Sequence, residues 1–135
     1  MTSSDTLLAT AHLDSGTVPY SQLVRAGHHA LTADEPAALG GADAGPTPYQ
    51  LLLASLAACT AITLEMYAAR KGWELGAVHV DLEIVRDGEV ERIERTIVLE
   101  PKVTEEQRAR LAEIAEKTPV TKTLKRGTTI VTKLA

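Results

Sequence analysis

Cys59 is the only cysteine of this 135-residue chain, and it lies inside the apolar stretch PYQLLLASLAACTAITLEMYAARKGW, residues 48–73. A thiol acts as a nucleophile in its thiolate form, which a nearby cation or a helix N-terminus favours. Free cysteine is also among the most buried residue types and often serves as a small apolar side chain. The residues alone therefore leave two interpretations open: a nucleophilic Cys59 and a packing Cys59.

Any positive charge that activates Cys59 has to come from outside its own helix. Cys59 lies about three turns into a predicted helix, too far from the N-terminus of that helix for its dipole to act strongly. The N-terminal region offers Arg25, His28 and His29 as candidates. Adjacent His28 and His29 point to opposite faces of a strand, and no metal-ligand spacing occurs, so we expect no metal site and no cofactor.

The helix that carries Cys59 is predicted over residues 48–71. Thr47 suits the N-cap position, a proline follows at the first helical position, and Gln50 completes a capping box three residues after Thr47. Gly72 is the predicted stop. Residues 51–64 are apolar on every helical face, which is typical of a helix buried all round.

The remaining pattern predicts an α+β domain, with residues 1–135 forming a single domain. Apolar–polar alternation and turn residues predict, in order, strands over 7–13, 20–25 and 28–32, a Gly/Pro-rich loop over 33–48, the cysteine helix, a hairpin turning at Asp87-Gly88, a helix capped by Thr104, a short helical segment over 119–127 and a last strand over 128–134.

Composition excludes several classes of function. The net charge of -4, with acidic and basic residues mixed along the chain, gives no basic surface for nucleic acid. The N-terminus lacks the pattern of a signal peptide, and the apolar run 51–64 is shorter than the about 20 residues that span a bilayer. One cysteine cannot form an internal disulfide. We therefore expect a cytoplasmic protein without a membrane or nucleic-acid partner.

Three segments carry a resemblance to a known family: GHHALTADEP, then GGADAGPTPYQLLLASLAACTAITLEMYAARKGW, then EIAEKTPVTKTL. Together they resemble the OsmC/Ohr family of thiol peroxidases, and in particular its OsmC-like redox protein branch, over about residues 25–135. The resemblance implies an intertwined homodimer, with antiparallel sheets wrapped around long central helices that bear the cysteines. It also implies that Cys59 attacks an organic hydroperoxide and becomes a sulfenic acid.

The chain departs from the family pattern at the companions of that cysteine. Thr118 stands where the family has its second, resolving cysteine, and Thr121 stands where histidine is common. Gln50 replaces a glutamate that orients an arginine, and Arg25 is the best positional match for that arginine. Tyr49 and Thr121 are the residues we expect to line the pocket.

Two functions follow as expectations. The first is a one-cysteine thiol peroxidase that protects against oxidative stress by reducing organic hydroperoxides, with an external thiol as the reductant. The alternative is a non-catalytic OsmC-like dimer that binds an apolar small molecule or a regulatory partner in the inherited pocket.

Overall fold

The computed structural model of the chain describes residues 4–135 and shows antiparallel strands together with three α-helices. In order, the elements are β1 (Ala11–Ser15), β2 (Gln22–Ala26), β3 (His29–Ala33), a 3-10 turn (Ala37–Leu39), α1 (Pro48–Lys71), β4 (Val78–Asp87), β5 (Val90–Leu99), α2 (Glu105–Ala115) and α3 (Pro119–Arg126). The α+β class is confirmed. The described chain falls into two compact units, one ending at Leu51 and one running from Leu52 to Ala135.

The first unit contains an antiparallel sheet in the order β1-β2-β3. Arg25 on β2 lies opposite His12 on β1 and opposite Ala30 on β3. The predicted strands are present with shifted bounds, because β1 begins at Ala11, and Leu7 is exposed outside the sheet. Every residue of β1 is exposed, so no buried face was available in the pattern to define where the strand begins.

Helix α1 begins and ends where the sequence predicts. The Thr47 Oγ1 accepts the Gln50 N–H at 3.2 Å, and the Gln50 Oε1 accepts the Thr47 N–H at 2.9 Å, so the capping box is confirmed. Gly72 follows the helix with a φ of 72°, a left-handed conformation that glycine adopts without strain.

The second unit has its core where α1, α2 and the β4-β5 hairpin meet. Leu64 of α1 and Leu111 of α2 are each about 1% exposed and lie in this core together with Val103. The predicted cap of α2 is confirmed, because Thr104 and Gln107 exchange both hydrogen bonds of a capping box. These contacts hold the part of α1 that follows Cys59.

Within the chain, α1 buries one face, and this corrects the prediction of a helix buried all round. The buried stripe recurs at every fourth residue, at Leu56, Thr60, Leu64 and Ala68. Ile62 and Met66, on other faces, are 49% and 61% exposed. One hairpin and two shorter helices supply too little apolar surface in this unit to cover all faces of a 24-residue helix.

By length and composition, α1 is the one helix within residues 4–135 that could cross a membrane. Its buried stripe contributes Leu64 and Ala68 to a core shared with α2 and the hairpin. That packing is typical of the core helix of a small globular domain.

The predicted final strand over residues 128–134 is wrong, since the structure has no strand after α3. Ile130, Val131 and Leu134 are exposed instead. A β-branched segment forms a strand when a neighbouring strand pairs with its backbone, and no strand of the described chain does so here.

Candidate active site: a thiol at the N-terminus of α3

The sulfur of Cys59 lies against the first turn of α3. Cys59 is partly exposed, and its thiol is free. Its Sγ accepts the backbone N–H of Val120 at 3.5 Å and lies 4.0 Å from the Thr63 hydroxyl, one turn further along α1. Cys59 therefore contacts one polar group of a second helix, the Val120 N–H, and one of its own helix, the Thr63 hydroxyl.

The first turn of α3 leaves one N–H group for this sulfur. Thr118 is the N-cap, and its Oγ1 accepts the Thr121 N–H at 3.3 Å. Pro119 has no N–H, so the Val120 N–H is the donor that remains for Cys59. The sulfur of Cys59 therefore lies at the electropositive N-terminus of α3, the kind of place where proteins bind anions.

Arg95 of β5 joins this turn of α3 to the rest of the unit. Its Nη1 donates to the hydroxyls of Thr60, at 2.9 Å, and Thr121, at 3.0 Å. Its Nη2 donates to the carbonyl of Ala115, at 3.1 Å, and the carboxylate of Glu116, at 2.9 Å. The Arg95 side chain is 12% exposed. One guanidinium thus bridges α1, the end of α2 and the start of α3.

The threonines around Arg95 are nearly fully buried, namely Thr60, Thr118 and Thr121. The Thr118 and Thr121 hydroxyls are 2.6 Å apart, and the Thr60 hydroxyl donates to the Leu56 carbonyl at 2.7 Å. No buried side-chain nitrogen or oxygen among the described residues lacks a hydrogen-bond partner. Thr118 therefore serves as a bonded helix cap.

Glu116 balances the charge of Arg95. Its carboxylate accepts a hydrogen bond from Lys125 at 2.6 Å as well as the one from Arg95. The Lys125 hydrogen bond, together with the charges of Lys125 and Arg95, holds the pKa of Glu116 below its ordinary value, against a smaller opposing effect of burial. Glu116 is therefore ionised at neutral pH, and the guanidinium has a carboxylate partner.

Arg95 is the site residue that the sequence analysis missed. Along β5 the partly buried residues alternate, and Ile93, Arg95 and Ile97 share one face, while Glu94 and Thr96 are exposed. An arginine between two isoleucines on the inward face of a strand is the signal that was available. A charge placed on an apolar face needs hydrogen-bond partners there.

The other predicted site residues, Arg25, Gln50 and Tyr49, belong to the first unit. Gln50 is engaged in the capping box at the start of α1, and Tyr49 beside it is half exposed. Arg25 lines a surface depression of about 320 Å³ on the first sheet, together with Asp14 and Thr32. The roles predicted for Arg25, Gln50 and Tyr49 stay predictions.

A cavity of about 540 Å³ opens in the second unit beside Arg95. Its lining combines apolar and charged side chains: Leu52, Leu56, Ile84, Ile93, Leu124, Thr121, Glu91, Arg92, Arg95, Glu116 and Lys125. Thr121 is among these lining residues, and its predicted place in a substrate pocket stays a prediction. Across residues 4–135, no three His, Cys, Asp or Glu side chains are grouped so as to hold a metal ion.

Comparison with known proteins assigns the family. A sequence model described as OsmC-like protein matches residues 40–133, which is more than half of the chain. The chain belongs to the OsmC-like protein family. The matched range of this OsmC-like protein includes Cys59, Arg95 and the first turn of α3. None of the curated protein sequences matches it.

Solved structures share the fold of this OsmC-like protein. An OsmC like protein from Mycoplasma pneumoniae has a TM-score of 0.66 and 19% identity, with 90% of this chain and 89% of that chain covered. An organic hydroperoxide resistance protein OsmC from Legionella pneumophila has a TM-score of 0.60 and 20% identity, with 89% of this chain and 90% of that chain covered. The organic hydroperoxide resistance protein OhrB of Bacillus subtilis has a TM-score of 0.60 and 23% identity, with 86% of this chain and 89% of that chain covered.

Proposed function

We propose that this OsmC-like protein is a thiol-dependent peroxidase that reduces organic hydroperoxides, with Cys59 as its nucleophile. The observation that carries the proposal is the hydrogen bond from the Val120 N–H to the Cys59 Sγ at the N-terminus of α3. The thiolate is the form of cysteine that attacks an O–O bond, and a helix N-terminus is a place where proteins bind anions. The hydroperoxide resistance proteins among the structural neighbours support the choice of substrate class.

The first half of the reaction oxidises the sulfur. The Cys59 thiolate attacks the terminal oxygen of the hydroperoxide, an S–O bond forms, and the O–O bond breaks. The sulfur is oxidised by two electrons to a sulfenic acid. The hydroperoxide is reduced to an alkoxide, which takes a proton from water and leaves as the alcohol.

The second half needs a thiol from outside the chain, because Cys59 is its only cysteine. One external thiol condenses with the sulfenic acid to give a mixed disulfide and water. A second external thiol attacks that disulfide, releases Cys59 and leaves as a small-molecule disulfide. The hydroxyl of Thr118 cannot replace either thiol, since an alcohol does not form a disulfide.

The proposal predicts that one equivalent of cumene hydroperoxide converts Cys59 to a sulfenic acid in the folded protein. A dimedone-type trap added with the peroxide should label Cys59 nearly completely, and mass spectrometry of the tryptic peptides reads the adduct. The control is protein in which Cys59 has first been blocked with iodoacetamide, and it should show no adduct. An unlabelled, unoxidised Cys59 in native wild-type protein would contradict the proposal.

We also propose that the protein is a homodimer in which α1 is covered by a second copy of the chain. Ile62 and Met66, four residues apart on α1, leave apolar surface exposed in the single chain. Apolar residues of the C-terminal segment, among them Ile130 and Val131, are also exposed. Burial of such surface is the main driving force of subunit association.

The dimer predicts that Met66→Glu converts the protein to a monomer at micromolar concentration. A charged carboxylate would have to be buried without a partner, which costs several kcal/mol, about 3 or more. Light scattering after size-exclusion chromatography should show wild type at twice the chain mass and the variant at the chain mass. Glu65→Gln, a polar change at the neighbouring exposed position, is the control and should stay dimeric. A monomeric wild type would refute the dimer.

A second candidate function rests on the cavity beside Arg95. Its volume of about 540 Å³ and its five aliphatic side chains suit a small apolar ligand with an anionic group near Arg92 or Lys125. Binding without chemistry would be independent of Cys59, which is not among the lining residues. Decanoate is a suitable probe, and thermal stabilisation that persists in Cys59→Ser would favour this function.

We further propose that the chain acts in the cytoplasm as one OsmC-like domain. A single cysteine that cycles with small thiols suits a reducing compartment. The family match from residue 40 to 133 runs across the boundary between the two units.

A further inference from the structure

We propose that Arg95 is a positioning residue of the thiol site: its guanidinium ties the first turn of α3 to α1 and α2, and so holds the Val120 N–H against the Cys59 sulfur. The importance of Arg95 for catalysis rests on the proposed function, in which Cys59 is the nucleophile. The structural basis of the positioning role is independent of that function.

The first step of the argument is which hydrogen bonds join the first turn of α3 to other elements. Thr118 and Thr121 bond to each other within the turn, which shapes the turn without attaching it to the core. Two hydrogen bonds connect the Thr121 hydroxyl to groups outside the turn. It accepts one from Arg95 at 3.0 Å and donates a longer one to the Ala115 carbonyl at 3.4 Å. Thr121 is the residue next to Val120, so a shift of its side chain moves the donor of the Cys59 hydrogen bond.

The second step is that the same nitrogen of Arg95 also bonds to the neighbour of Cys59. Nη1 donates to Thr60 as well as to Thr121, so one nitrogen sets the spacing between α1 and α3 at the residues adjacent to Cys59 and Val120. A planar guanidinium offers its donors in a fixed fork. An ammonium group keeps the charge but presents three donors from one flexible point.

The third step concerns what anchors Arg95 itself. Nη2 is held by the Ala115 carbonyl and by Glu116, whose carboxylate also binds Lys125 of α3. The guanidinium is therefore bonded on both terminal nitrogens, Nη1 and Nη2, and cannot turn without losing several hydrogen bonds. A fixed guanidinium between two helices is what a positioning role requires.

The test compares Arg95→Met and Arg95→Lys with Arg108→Met. Arg108 is the control, because its guanidinium is also hydrogen-bonded within the second unit, to the backbone carbonyls of Val103 and Glu100. Among the described residues it makes no hydrogen bond to α1 or α3. The readout is the rate of Cys59 alkylation by iodoacetamide at pH 7 divided by the rate at pH 10, where thiols are largely ionised. This ratio removes the effect of access to the thiol.

We expect the ratio to fall about tenfold in Arg95→Met, the usual effect of losing a hydrogen bond to a charged group. It should fall similarly in Arg95→Lys and stay within about twofold of wild type in Arg108→Met. Hydrogen exchange should show faster exchange of the Val120 amide in both Arg95 variants, with Leu64 amide protection retained. An unchanged ratio in Arg95→Met, or full rescue by Arg95→Lys, would overturn the positioning role.

These measurements use no peroxide. If Cys59 forms no sulfenic acid but the alkylation ratios change as expected, the peroxidase function is contradicted and the positioning role of Arg95 is supported. If Cys59 forms the sulfenic acid but the ratios are equal in all variants, the peroxidase function is supported and the positioning role is contradicted.

Discussion

Cys59→Ser should lose hydroperoxide turnover by at least about 10³-fold, because it removes the nucleophile on which both half-reactions depend. A serine hydroxyl is not ionised at neutral pH and does not cycle through a sulfenic acid. It does keep an acceptor for the Val120 N–H, so the first turn of α3 retains its bonded neighbour. The loss should therefore be one of chemistry, without a loss of fold.

The measurement is the rate at which cumene hydroperoxide is consumed in the presence of excess dithiothreitol. The xylenol orange assay reads the remaining hydroperoxide. Thr63→Val is the matched control, since it removes the other polar neighbour of the Cys59 sulfur and leaves the thiol in place. We expect it to retain at least about a tenth of wild-type turnover. Equal turnover by Cys59→Ser and wild type would exclude a thiol mechanism.

The same variant separates the two candidate functions. If wild type has no turnover and decanoate raises the melting temperature of wild type and Cys59→Ser equally, the binding function is favoured. If Cys59→Ser loses turnover and decanoate stabilises neither protein, the cavity is not a binding site for this class of ligand. The two assays report on different groups, since Cys59 does not line the cavity.

Local chemistry explains which parts of the fold could be predicted. The bounds of α1 depend on Thr47, Gln50 and Gly72, which act through bonds to residues at most four positions away. The caps of α2 and α3 are local in the same sense. The prediction of a strand over residues 128–134 was wrong for the opposite reason, because a strand needs a backbone partner that is distant in the sequence.

The site shows the same division. The sequence points to Cys59, but the donor that reaches it is a backbone N–H 61 residues later, and a backbone group leaves no residue-type signal. Arg95 left a weak signal, a charge on the apolar face of β5. Its partners come from three helices whose packing is not written in any one segment.

Thr118→Cys should convert the reaction to a two-cysteine cycle. Thr118 caps the helix whose Val120 N–H reaches the Cys59 sulfur, so a thiol introduced there lies within two residues of a group in contact with that sulfur. It can attack the Cys59 sulfenic acid directly, forming an intramolecular disulfide and releasing water. An intramolecular thiol has a far higher effective concentration than an external one, so the sulfenic acid should not accumulate.

The variant should show this in its mass and in its choice of reductant. After one equivalent of cumene hydroperoxide, the protein should lose about 2 Da, two hydrogens, and the dimedone adduct should vanish, whereas wild type adds one oxygen or the trap. Turnover should come to prefer a dithiol over a monothiol, because a disulfide between two protein thiols resists monothiols.

Loss of the cap hydroxyl costs about 1 kcal/mol, so the variant should fold. Thr123→Cys, in the second turn of α3, is the control. A persistent dimedone adduct in Thr118→Cys, equal to that of Thr123→Cys, would mean that the first turn of α3 does not bring residue 118 to the sulfur.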